Sequence, residues 1–192
     1  FDETAVDLLE ELVAPAYKIA SFELIDIPLI DYIAKKGKPI LMSTGMSSPE
    51  EIGEAVETIR SAGNEDILLF HCISSYPTST EDSNLKNLLY LSKHFKTLVG
   101  LSDHSTNSIA ATASISLGAC AIEKHFKLDN KDCGPDASFS LLPSDLKELV
   151  DVTNEAWKAL GSAEFERAAI EESNKIYRRS LYFVTNLKKG SK

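Results

Sequence analysis

Two histidines close two successive apolar runs, Gly100-Leu101-Ser102-Asp103-His104 and Ala121-Ile122-Glu123-Lys124-His125-Phe126. An aspartate follows downstream in Gly134-Pro135-Asp136. Two imidazoles and several oxygens gathered at one end of a sheet can hold a divalent cation and leave positions open for substrate. That donor set suits Mn, Mg, Co, Fe or catalytic Zn, and there is no Cys-rich cluster of the kind that builds a structural zinc site. A lone histidine is most often a satisfied core or surface residue. Two at neighbouring strand ends, each close behind an acidic residue (Asp103, Glu123), point instead to a shared site and to an enzyme.

Other residues fall at corresponding places. Lys18 lies inside the run YKIAS, a poor place for an ammonium unless it meets an anion. The alternative is a lysine pointing outward, between sheet and helices. Ser21 and Ser43-Thr44-Gly45 add hydroxyls and a glycine at adjacent strand ends, able to cradle a phosphate or carboxylate. Glu123 stands two residues before His125, so both share one face of a strand, and a carboxylate there serves as metal ligand or general acid/base. Its alternative role is a structural ion pair, which Lys124, pointing to the other face, cannot supply. Tyr76 and Pro77 belong to a loop long enough to fold over the site. Residues 126–140 form the longest such loop, carrying Asp136 as an acceptor for sugar hydroxyls.

The elements that must position these groups read as five strands, over 17–21, 39–43, 67–72, 98–102 and 120–126. Each is almost continuously apolar, which suits strands buried on both faces of a parallel sheet. Amphipathic segments separate them. The clearest begins at Ser48, with Pro49 in the first helical position and Glu51 completing a capping box. Further helices are expected over 27–36, 85–95, 108–117, 144–160 and 164–177, with a last short strand over 180–184. Alternation of strand and helix predicts a parallel sheet with crossover helices. Ser21, Ser43, Ser74, Ser102, Glu123 and His125 all sit at or just past a strand's C-terminal end, where a (β/α)8 TIM barrel builds its active site. An open doubly wound sheet would place ligands there too, but no GxGxxG or Walker loop follows any strand. The barrel is the expected fold.

Eight units need about 250 residues. Five cannot close a barrel, so three βα units are expected ahead of Phe1, and both chain ends read as cut. Residues 1–162 are expected to be the last five units of a catalytic barrel. Residues 163–192 read as a linker and the start of a further domain.

Composition narrows the partners. A net charge of −9 argues against nucleic acid, which recruits Lys/Arg stripes. The apolar runs fall far short of the ~20 residues of a membrane span, and nothing reads as a signal peptide. Cys72, Cys120 and Cys133 are odd in number with no CxxC, as expected of reduced thiols in a cytoplasmic protein.

At these residues the chain resembles the sialic acid synthase family, and within it the pseudaminic acid synthase branch. The shared motifs are FDETAVDLL, PAYKIASFE, STGM, HC-x-SSYP, GLSDH, LGA-x-AIEKHF, GPDASFS and YRRSLY, which run from Phe1 to about Val184. IASFE, Ser74 where N-acetylneuraminate synthases carry Asn, and the SFSL and RRSLY runs indicate the branch. The resemblance implies a metal-dependent condensation of phosphoenolpyruvate with an acyclic amino-sugar aldehyde, here a 2,4-diacetamido-2,4,6-trideoxy-altrose, with loss of phosphate. It implies His104 and His125 as metal ligands, with Mn, Mg or Co as the ion. Lys18, Ser21, Ser43 and Ser102 would contact phosphoenolpyruvate, Tyr76, Asp136 and Ser74 would face the sugar, and Glu123 would touch phosphoenolpyruvate and manage protons. The family also uses a Glu, a Lys, a Gln and a Thr from earlier strands and an Arg from a C-terminal antifreeze-like domain that reaches the partner subunit. The full-length protein is therefore expected to be a homodimer and the isolated chain inactive.

The competing readings are an N-acetylneuraminate or other nonulosonate synthase, including spore-coat polysaccharide relatives, and two readings of other classes. A metal-dependent hydrolase would want more histidines, including His-x-His pairs, and only His71, His94, His104 and His125 exist. A non-catalytic sugar-binding barrel would fail to bind divalent metal.

Overall fold

The computed structural model describes residues 2–131, 133–164 and 167–190. The chain forms two units, residues 1–160 and 161–192. The first runs α1 (Glu3–Glu11), β1 (Tyr17–Ile19), α2 (Ile27–Ala34), β2 (Ile40–Ser43), α3 (Pro49–Ser61), β3 (Ile67–Cys72), α4 (Asn87–Phe95), β4 (Leu98–Asp103), α5 (Ile109–Ser116), β5 (Ile122–Lys124) and α6 (Pro143–Leu160). All strand pairs are parallel, in the order β1-β2-β3-β4-β5.

Alternation along the strands divides two environments. Tyr17, Ile19, Ile40, Met42, Ile67, Leu69 and Val99 point to the helices and form the core with Ile30, Ile33, Val56 and Ile59. A second cluster joins Leu101 of β4 to Ala110 and Ala111 of α5 and Leu149 of α6. The other face carries Lys18, Ser43, Phe70, Ser102 and Glu123, and it is concave. Lys18 of β1 and Glu123 of β5 lie on opposite edge strands, yet Lys18 Nζ is 3.7 Å from Glu123 Oε2. In a flat sheet those strands would stand roughly 19 Å apart, four inter-strand spacings. The sheet is therefore curled like the wall of a barrel, and the architecture is five βα units of the (β/α)8 type.

Local chemistry explains the element boundaries. Ser48 accepts from Glu51 N while Glu51 Oε2 accepts from Ser48 N, so the expected capping box starts α3, and Gly63 at φ 82° follows its end. Asp2 and Asp26 cap α1 and α2 through side-chain bonds to Ala5 N and Leu29 N. The first strand is shorter than 17–21 because Ser21 begins a 3-10 turn, Ser21–Glu23. The fifth is shorter than 120–126, with an isolated bridge from Phe126 to Leu141 beyond it.

The second unit corrects two expectations. The helix expected over 164–177 is a 3-10 helix, Ala169–Tyr177, with residues 165 and 166 outside the described residues. No strand forms over 180–184, where Leu181, Tyr182, Phe183 and Val184 are exposed. Apolar, β-branched character makes a strand only where a partner offers ladder hydrogen bonds, and none among the described residues does. No helix among the described residues is long and apolar enough to cross a membrane.

Candidate active site

The floor of the concave face depends on a glycine. A Cβ at Gly100 would stand 2.6 Å from Phe70 Cε1, so Gly100 makes room for that ring, which is 3% exposed. Lys18 Nζ lies 5.8 Å from the centroid of the Phe70 ring. Lys18 thus points into the barrel side, against its outward alternative. Its Nζ donates to Ser43 Oγ at 2.7 Å and to the Ile19 carbonyl at 3.2 Å.

Across the face, Ser102 Oγ donates to Glu123 Oε1 at 2.7 Å, and the other carboxylate oxygen faces Lys18. Glu123 therefore has an ion-pair partner after all, supplied from β1 rather than by its neighbour Lys124. Lys18, Ser43, Ser102 and Glu123 form one polar row contributed by four strands. Both charged groups remain partly open, with side chains 33% and 40% exposed. An ammonium and hydroxyls in this arrangement suit a small, highly charged anion.

Beside this row is a narrow nook. Gly45 N donates to Ser21 Oγ at 3.0 Å, and Ser21 Oγ contacts Cys72 Sγ at 3.1 Å. A Cβ on Gly45 would meet Ser74 Oγ at 2.4 Å and both Cys72 Sγ and Ser21 Oγ at 2.8 Å. Ser74 Oγ is buried and has no hydrogen-bond partner among the described residues. An orphaned hydroxyl beside an open rim of polar groups is suited to a ligand that supplies the missing bond.

The two histidines stand together, their ring centroids 5.3 Å apart. His104 Nδ1 is 2.8 Å from the Ile73 carbonyl, so it carries the proton and Nε2, with Ser102 Oγ at 3.5 Å, holds the lone pair. Burial, followed by the neighbouring His125, pushes the His104 pKa below the usual imidazole range and favours the neutral, ligating form. His125 Nδ1 lies 3.4 Å from Asp136 Oδ2, so there too Nε2 is the nitrogen left available. Histidines that bind metal are commonly oriented this way, by an acceptor on the other ring nitrogen. Among the described residues no three His, Cys, Asp or Glu side chains converge into a metal cage. The residues present fit two imidazole ligands of an open site, the kind that leaves coordination positions for water or substrate.

Two rings flank the pair. Tyr76 lies with its centroid 4.2 Å from His104 and 5.4 Å from Phe139, and Phe139 is 4.9 Å from His125. Burial raises the Tyr76 phenol pKa. Phe139 and Asp136 reach the site because the loop over 126–140 is pinned at its base. Leu141 N donates to the His125 carbonyl at 2.8 Å and Lys127 N to the Leu141 carbonyl at 2.9 Å.

All ten residues singled out for chemistry therefore fall on this face or its rim. His71 and His94 do not: His71 Nε2 bonds the Ser83 carbonyl on the helix side, and His94 stacks on Tyr90. Sequence reasoning missed Cys72, Phe70 and Phe139 as site-forming groups. Strand parity was the available signal for the first two, since Phe70, Cys72 and Ser74 alternate along one chain direction. Nothing in the local sequence marked Phe139.

Comparisons with known proteins bear on the family and the fold. The NeuB family profile matches residues 1–165. The chain is 45% identical to the uncharacterized protein MJ1065 of Methanocaldococcus jannaschii, over 96% of this chain and 55% of that protein. It is 39% identical to a pseudaminic acid synthase and 40% to an N,N'-diacetyllegionaminic acid synthase, both of Campylobacter jejuni. These matches cover 99% of this chain and 55% and 58% of those proteins. The crystal structure of an N-acetylneuraminic acid (sialic acid) synthetase from Leptospira borgpetersenii superposes with a TM-score of 0.87 at 33% identity, over 94% of this chain and 63% of that one. The chain thus spans about half the length of the curated relatives it matches. With the profile matching most of its length and a solved relative sharing its curled sheet, the chain belongs to the NeuB family.

Proposed function

We propose that the protein condenses phosphoenolpyruvate with 2,4-diacetamido-2,4,6-trideoxy-altrose to give pseudaminic acid and inorganic phosphate. The observation that carries this is the row Lys18–Ser43–Ser102–Glu123 beside the paired imidazoles of His104 and His125. Lys18 and the hydroxyls of Ser21, Ser43 and Ser102 bind the phosphate and carboxylate, offsetting their charge. His104 and His125 would hold a divalent cation, Mn, Mg or Co, which when bound supplies Lewis-acid polarisation of the sugar's aldehyde oxygen. C3 of phosphoenolpyruvate then attacks the aldehyde carbon, water adds at C2, and the C2–O bond to phosphate breaks. Glu123, held by Ser102 and facing Lys18, takes one proton from that water and passes it to the former aldehyde oxygen, now a hydroxyl; the second, from the C2 hydroxyl, leaves with phosphate as the C2 ketone forms. Tyr76, Phe139 and Asp136 wall the sugar side, and Ser74 Oγ gains a hydrogen-bond partner there. The full-length protein acts as a homodimer in the cytoplasm, and residues 1–192 alone, with part of the wall, are inactive.

A second reading is N,N'-diacetyllegionaminic acid synthesis, favoured by an identity to that synthase as high as to the pseudaminic enzymes. Phosphate release by the full-length protein with Mn²⁺ tests both. Reactions would contain the altrose sugar, the gluco-configured diacetamido precursor of legionaminic acid, or N-acetylmannosamine, with His104→Ala and His125→Ala as controls. Release with the altrose sugar alone, lost in both variants, is the expected result. Release only with another sugar keeps the chemistry and moves the substrate. No release with any of the three overturns the proposal.

A further inference from the structure

Asp103 and Lys124 immediately precede His104 and His125, and they face each other in the β4–β5 register. Strand alternation sends them to the side opposite the catalytic groups. There Lys124 Nζ lies 3.1 Å from Asp103 Oδ2, with side chains 3% and 4% exposed. Lys124 Nζ also donates to the Ser105 carbonyl at 2.5 Å, and Ser105 N donates to Asp103 Oδ1 at 2.9 Å. The nearest same-face residues along the two strands, Leu101 and Ile122, belong to an apolar cluster.

A buried ion pair adds little net stability over a well-packed apolar pair, because desolvation consumes most of the attraction. What this pair supplies is geometry. It joins the ends of β4 and β5 to the 103–105 turn, the three backbone points from which both imidazoles project. We propose that Asp103 and Lys124 are positioning residues that fix the separation and orientation of the His104 and His125 rings, and through them the affinity for a divalent cation. The second half of this inference rests on reading those histidines as metal ligands.

The test uses the full-length protein with Asp103→Asn, Lys124→Met and the double variant, beside Ile59→Ala as a core control remote from β4 and β5. Co²⁺ titration followed by visible absorption gives the affinity. The ¹³C-labelled histidine ring resonances of the metal-free protein report ring placement. Groups that orient metal ligands from behind alter affinity by about 10- to 100-fold when removed. Each single variant is expected to bind Co²⁺ at least tenfold more weakly, with the His104 and His125 resonances displaced. The double variant leaves no unpaired buried charge, so its melting temperature recovers towards that of the native protein while its Co²⁺ affinity stays low. Ile59→Ala melts earlier with unchanged affinity. If the single variants do not fold, the double variant carries the test. A double variant with native affinity and native ring resonances overturns the proposal. A native protein that binds no Co²⁺ refutes the metal reading separately. The ring resonances then decide: displaced, they support the positioning role; unmoved, they end it.

Discussion

On the concave face of β4 and β5, Ser102, His104, Glu123 and His125 present oxygens and ring nitrogens to one another and to a half-open basin. One residue along, Leu101, Asp103, Ile122 and Lys124 face the helix side, where apolar packing and a sealed ion pair occupy the space. The same two strands serve both faces, so the backbone that places the chemistry is held by residues that never touch it. The division teaches where damage should appear. Concave substitutions should change turnover while leaving the fold intact, and apolar helix-side substitutions should do the reverse, the Asp103–Lys124 pair being the exception that the positioning role demands.

Glu123→Gln probes the concave side most sharply. With the proton-managing role proposed for it, its loss should cost about 10²- to 10⁴-fold in kcat. Its ion pair with Lys18 is partly exposed, so the stability change should stay at about 1 kcal/mol or less. Steady-state phosphate release and urea unfolding of one preparation measure both, and a large loss of stability would break the division. Leu69→Ala is the converse. Leu69 is fully buried on the helix side, so truncation is expected to remove about 2–5 kcal/mol by urea denaturation and leave the kcat of the folded fraction unchanged.

Gly45→Ala falls on the boundary. Its new methyl would crowd Ser74, Cys72 and the Ser21 hydroxyl, at an overpacking cost of about 1–3 kcal/mol. Because Ser21 is displaced with it, its proposed role requires KM for phosphoenolpyruvate to rise as stability falls. A change in only one of the two would show that the nook is not shared. Ser48→Ala, at the outer start of α3, should cost about 1 kcal/mol in a thermal melt through the lost cap, with kinetics untouched.

The smallest expected effect is a pH slope. His71 is buried on the helix side, and burial holds its pKa below the usual imidazole value while its bond to the Ser83 carbonyl opposes the shift only in part. A histidine whose folded pKa is depressed binds fewer protons folded than unfolded. Stability should therefore fall as pH drops below about 6.5, the unfolded value, and level off below the folded pKa. Denaturation midpoints between pH 7.5 and 5 should show a shallower slope in His71→Gln than in the native protein.

Much of this was legible because it is local or periodic. Continuous apolar runs such as ILLFHC mark strands buried on both sides, and Ser48-Pro49-Glu50-Glu51 writes its own helix start. The histidines, serines and Glu123 stood out because strand ends in a parallel barrel converge. What was hidden depends on register and curvature. The Lys18–Glu123 contact joins the two edge strands and exists only once the sheet curls. The Asp103–Lys124 pair needs β4 and β5 aligned residue by residue. Phe139 is brought to Tyr76 by backbone bonds at the base of a loop, which no side-chain pattern announces. The strand read over 180–184 failed for the complementary reason, since its composition was suitable but strand structure is a property of pairs.

Strand order that follows chain order also bears on how the molecule finds its fold. Tyr17 pairs with Ile40, Ile40 with Ile67, Leu68 with Leu98 and Leu101 with Ile122, so every pairing closes a loop of one strand–helix unit. Loop-closure entropy rises by only about 0.6 kcal/mol per doubling of length, which leaves the four closures nearly equal. Chain separation then selects no starting point. The nucleus should form where burial is deepest, around Ile40, Met42 and Leu69 in β2 and β3, with the histidine-bearing strands joining a sheet already begun.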